Sequence, residues 1–113
     1  MKTKRIVALF VILSVFLTAC SSKFTLQKAI KEYQKYGVEV SEKQKPYYQM
    51  VGAKDGVMFY MGGYVVKLYE FASEADYQKG LKILKAMKKY PKKDLVVLDT
   101  DSKGAKEVFN KIK

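Results

Sequence analysis

This chain has no histidine, one cysteine at position 20 and one arginine at position 5. Each scarcity closes a class of chemistry. Without histidine, and with a single thiol, neither a Ser-His or Cys-His nucleophilic system nor the usual His/Cys zinc site can be assembled. A lone cysteine forms no intramolecular disulfide, so stability must come from packing. Arginine forks read guanine edges and phosphates bidentately, and a chain whose basic residues beyond position 5 are all lysine is not built as a nucleic-acid reader. Nothing marks a catalytic carboxylate pair. Asp99, Asp101 and Gly104 fall at positions 1, 3 and 6 of an EF-hand loop. However, Lys103 takes position 5 and Asn110 position 12, and an ammonium group among the ligands opposes calcium. Capping of a following helix by Thr100, Asp101 or Ser102 accounts for the segment better. The sequence therefore calls for no metal, no cofactor and no catalytic set.

What is present begins with the placement of Cys20. Lys2, Lys4 and Arg5 precede an apolar run from Ile6 to Leu17, which leads into Leu17-Thr18-Ala19-Cys20. A basic start, a short apolar stretch and small residues before a cut are the layout of a signal peptide, and the stretch is too short to span a bilayer stably. Leu17 to Cys20 resembles the lipobox of bacterial lipoproteins. The resemblance implies that residues 1–19 are removed and that Cys20 is lipidated on sulfur. Cys20 then becomes the mature N-terminus, on the extracytoplasmic face of the cell membrane. A diacylglyceryl group supplies two chains, enough for stable anchoring. Residues 20–25 would form the lipidated tether, its span from Ser21 to Thr25 at most about 18 Å.

The mature chain of 94 residues suffices for one domain, over 26–113, with no low-complexity tract and no internal repeat. Without Lys2, Lys4 and Arg5, 19 of the 22 basic residues remain against 11 acidic ones. Beside a bacterial membrane such a body faces anionic lipid head groups or anionic wall polymers. An AT-rich genome would produce the same preference for lysine.

Periodicity gives an α+β fold. Leu26, Ala29, Ile30 and Tyr33 follow helical spacing, with Thr25 as N-cap and Gly37 as stop, predicting a helix over 26–36. Residues 38–45 read as a short edge strand or a loop, and 47–51 as a helical turn or a strand. Gly62-Gly63 separates two β-branched and aromatic runs, predicting a hairpin with strands 57–61 and 64–71. Pairing about that turn sets Met61 opposite Tyr64, Phe59 opposite Val66 and Val57 opposite Leu68, all six on a core face. The other face carries Met58, Tyr60, Val65, Lys67 and Tyr69, which either pack on a neighbouring element or form a tyrosine-rich surface for a protein partner.

Ser73 and Asp76 resemble a capping box for a helix over 74–90 that Pro91 stops, with Tyr77, Leu81, Leu84 and Met87 as its apolar stripe. Gly80 within it implies close approach of another backbone. Lys82, Lys85, Lys89 and Lys93 fall opposite the stripe if the last turn continues, giving a solvated basic face suited to a membrane or polyanion. A buried strand over 94–99 and a helix over 102–112 complete a small antiparallel or mixed sheet with helices on one face.

Gly52-Ala53-Lys54-Asp55-Gly56, the hairpin, and Leu68-Tyr69-Glu70-Phe71 together resemble small lysine-rich lipoproteins of Gram-positive bacteria, some carried by prophages. That resemblance implies superinfection exclusion or immunity as one activity, with no catalytic residues. In purely structural terms, Gly52 and Gly56 would be turn residues with unusual backbone angles, and Glu70 would end a strand. The sequence as a whole points to a lipid-anchored, non-enzymatic binding module of the cell envelope. An exclusion or immunity lipoprotein is the alternative, with a small envelope enzyme a distant third.

Overall fold

A computed structural model describes residues 23–113; the signal peptide expected over 1–19 and Cys20 lie outside them. Thr25 caps the first helix, its Oγ1 accepting from the Lys28 N–H at 3.2 Å. The helix, α1 (Leu26–Lys35), buries Leu26, Ala29, Ile30 and Tyr33 as the spacing predicts. After a loop and a 3-10 turn (Tyr48–Val51), strands β1 (Asp55–Met61) and β2 (Tyr64–Glu70) form the hairpin in the expected register. Gly62 and Gly63, both at positive φ, make its turn. Helix α2 (Glu74–Ile83), a 3-10 segment (Lys85–Lys89), β3 (Lys92–Lys93), β4 (Val96–Thr100) and α3 (Lys103–Lys111) follow. The sheet is antiparallel throughout, in the order β1-β2-β4-β3. The chain is thus a small α+β fold.

Residues 38–45 are a loop rather than an edge strand; the Gln44 carbonyl accepts the Met58 N–H at 2.9 Å and covers part of the outer edge of β1. Helices do not keep to one face. On one side α1 and α3 enclose Val57, Phe59, Val66, Leu68, Val96 and Leu98. On the other, α2 and the two 3-10 segments build a second core from Val51, Tyr69, Phe71, Tyr77, Met87 and Val97. Aromatic contacts pin both layers: Tyr33 lies 5.0 Å from Phe59, and Phe71 stands edge-on to Tyr77 at 5.5 Å. The Tyr33 hydroxyl donates to the Ala105 carbonyl at 2.7 Å, tying α1 to α3. Burial pushes that phenol far above its ordinary pKa, so it stays a donor.

The second core also explains why the helix expected over 74–90 stops at Ile83. Leu84 leaves the helical region (φ −123°, ψ 88°), and the chain doubles back so that Met87 is fully buried beside Gly80 and Phe71. Local helix propensity from Lys85 to Lys89 is good, but burying Met87 outweighs it. Nor does the strand expected over 94–99 begin at its first residue. Asp94 (φ 51°) and Leu95 form the turn of a second hairpin that joins β3 to β4. The last helix is capped by Ser102, whose Oγ accepts from the Ala105 N–H at 3.1 Å.

Phe24 is folded, not tether. It is 7 % exposed, stands edge-on to Phe109 at 5.9 Å, and its N–H donates to Asp94 Oδ2 at 2.6 Å. The Leu26 N–H donates to Glu70 Oε2 at 3.0 Å. Among the described residues no helix is long and apolar enough to cross a membrane.

Candidate functional site

Strand alternation puts Met58, Tyr60, Val65, Lys67 and Tyr69 on the face opposite α1 and α3. Coverage divides that face. Near the ends of β1 and β2 farthest from their turn, the second core covers it, and Tyr69 is buried (6 % exposed). Tyr69 therefore leaves the partner surface proposed from sequence; it packs beneath α2 and the 3-10 return. Toward the turn the sheet is open. Tyr60 is 64 % exposed, Val65 is exposed, and Met58 and Lys67 are half-buried.

Two residues that alternation within the hairpin could not supply complete this surface. Lys67 pairs in register with Asp99 of β4, whose carboxyl also lies under the influence of the Tyr90 hydroxyl. Tyr64, expected in the core, is instead 53 % exposed; it lies on the α1 and α3 side of the sheet, outside this surface, in the groove beside the start of α3. The Thr100 hydroxyl donates to the Val65 carbonyl at 2.8 Å and ties this end of β2 to β4. The result is an aromatic and aliphatic patch bordered by a lysine and a carboxylate, the composition of an interaction surface.

Asp99 allows a direct test of the patch's electrostatics. Burial raises its carboxyl above the ordinary range, and Asp101 adds to that, while Lys67 and the Tyr90 hydroxyl oppose it without prevailing. A carboxyl raised by folding loses stability as pH climbs from the ordinary carboxylate range, near about 4, through the raised value. Asp99→Asn is therefore expected to unfold at a higher urea concentration than wild type at neutral pH, the difference closing as pH falls to that range. A lower midpoint at neutral pH would mean that the Lys67 attraction dominates.

The basic residues proposed from sequence do not form one helical face. Lys82 lies on α2, Lys85 and Lys89 on the 3-10 segment, all three exposed. Lys93 leaves the set: it lies in β3, points to the α3 side with its Nζ 5.9 Å from the Phe109 ring, and donates to the Ile112 carbonyl at 2.7 Å. Its neighbour Lys92 takes the opposite side, 4.6 Å from the Tyr77 ring. Gly52 does adopt a left-handed conformation, but Gly56 does not. It sits inside β1 because a Cβ there would come within 3.0 Å of the Leu68 carbonyl and 3.1 Å of Tyr48 Cβ. Glu70 ends β2 as expected.

Among the described residues no group of three or more His, Cys, Asp or Glu side chains is placed to hold a metal ion. An open groove of about 570 Å³ separates the hairpin turn from the start of α3, lined by Met61, Tyr64 and Lys103 among others. A cleft of about 70 Å³ beside α1 holds the Lys45–Asp55 ion pair at 2.6 Å and has room for little else. Comparison of the chain with protein-family models, curated proteins and solved structures gives no match.

Proposed function

We propose that this chain is a lipoprotein of the extracytoplasmic face of a bacterial cell membrane, and that its domain is a non-enzymatic binding module. The open sheet patch of Met58, Tyr60, Val65 and Lys67 is the surface offered to a protein partner. The observation that carries this reading is the position of Cys20, the sole thiol, directly after a basic and apolar leader and four residues before Phe24, the first buried side chain among the described residues. The architecture fits that arrangement. Phe24 and Leu26 are bonded to Asp94 and Glu70, at the end of the sheet away from the hairpin turn. The turn stands a full length of β1 away, about 20 Å at roughly 3.4 Å per residue. A lipid at one end and an exposed aromatic patch toward the other would hold the patch clear of the bilayer.

Cys20→Ser tests the anchor, since no other thiol can accept a lipid. The variant is expected to accumulate as the unprocessed precursor, while the wild-type mature protein carries a diacylglyceryl mass on Cys20. Intact-mass spectrometry of membrane extracts reads both. An unmodified Cys20 in mature wild-type protein would return the chain to an ordinary secreted protein.

A further inference from the structure

Resting on the lipid anchor proposed above, we infer that the domain stands on the bilayer by the end of the sheet at which Phe24 is buried, with Lys23, Lys28, Lys54 and Lys93 meeting anionic lipid head groups. Chain length constrains the orientation first. Four residue steps separate Cys20 from Phe24, a span of at most about 14 Å when fully extended. Phe24 itself is locked by its ring contact with Phe109 and its hydrogen bond to Asp94, and Leu26 by its bond to Glu70. With so few residues between them, the surface around Phe24 is the surface nearest the lipid.

Charge supplies the second constraint. The acidic groups beside Phe24, Asp94 and Glu70, are engaged by the backbone N–H groups of residues 24 and 26 at the positive end of α1. Ammonium groups surround them. Lys28 Nζ donates to the Lys23 carbonyl at 2.7 Å, at the point where the chain enters the fold. Lys54 Nζ lies 3.8 Å from Glu70 Oε1, and Lys93 Nζ is held on the Ile112 carbonyl at this same end. Lys23, Lys28 and Lys54 are exposed. An anionic surface acts on such charges only within a Debye length, about 8 Å at physiological salt, which favours the lysines at the anchor over those on the flank of α2.

Lysine acylation mapped by mass spectrometry on the full mature lipoprotein tests this. The protein is compared in vesicles of three parts phosphatidylcholine to one part phosphatidylglycerol, in pure phosphatidylcholine vesicles and in neutral detergent. Lys23, Lys28 and Lys54 are expected to react severalfold more slowly in the anionic vesicles than in detergent. Lys93, half-buried already, should slow less, and Lys82, Lys85, Lys89 and Lys103 should not change. Protection should weaken in pure phosphatidylcholine and in high salt. The same digest reports the mass on Cys20, which separates the two ideas. A lipidated Cys20 with protection at Lys82, Lys85 and Lys89, or at no lysine, overturns the orientation alone. An unmodified Cys20 overturns the anchor and the orientation with it.

Discussion

Phe59→Ala and Tyr69→Ala are each expected to cost about 3–5 kcal/mol of stability, whereas Tyr60→Ala should cost about 0.5 kcal/mol or less. All three are large residues of one hairpin, and β-propensity does not separate them. Coverage does. Phe59 is 2 % exposed and packs against Tyr33 beneath α1, and Tyr69 is buried on the opposite face beneath α2. Truncating either ring removes its transfer free energy and leaves a cavity in a core that surrounding elements cannot close. Tyr60 lies next to Phe59 but faces solvent. Since a domain of this size has only about 5–15 kcal/mol of stability, the first two variants should be visibly destabilised in urea and the third should melt with wild type. Tyr69→Phe keeps the ring and should restore most of what Tyr69→Ala loses. A large loss for Tyr60→Ala would mean that the open patch is covered in the folded protein, and the proposed binding surface would not exist.

The contrast between Tyr60 and Tyr69 also marks how far the sequence could be read. Alternation assigns both to one face, and Gly62-Gly63 fixes the register, because those signals are local. Whether that face is covered depends on where the chain goes after Phe71, and residues 84–91 give no local sign that they double back. Leu84, Ala86 and Met87 are good helix formers, so the break at Leu84 is a tertiary effect. A two-residue strand such as Lys92–Lys93 has no period to detect, which is why β3 and the reassignment of Lys93 emerged only from the fold. The reading of Cys20 rests on its neighbours in sequence alone, and Cys20 lies outside the described residues. The lysines that we propose meet the bilayer could not be grouped from sequence, because Glu70 and Asp94 reach Leu26 and Phe24 across 44 and 70 positions. Lys23 and Lys54 are placed together by those bonds and by nothing local.

Gly80→Ala is expected to destabilise the domain by about 1–3 kcal/mol, against the gain of about 1 kcal/mol that glycine to alanine brings inside an exposed helix. The residue is buried in the middle of α2, and a methyl group added there would come within 2.6 Å of the Val51 carbonyl oxygen. It would also lie 3.0 Å from Met87 Cε and 3.1 Å from Phe71 Cε1. The two side chains could yield by a rotamer change, but the carbonyl belongs to the backbone of the 3-10 turn at Tyr48–Val51, just ahead of Gly52. Relief therefore requires α2 to lift from that turn, which loosens the second core around Phe71 and Met87. Loss should be confined to this side of the sheet. In hydrogen exchange, amides of α2 and of residues 85–89 should lose protection more than those of α1 and α3. An unchanged or raised urea midpoint would show that α2 does not press on the turn, and that Met87 and the return of the chain need some other cause than this contact.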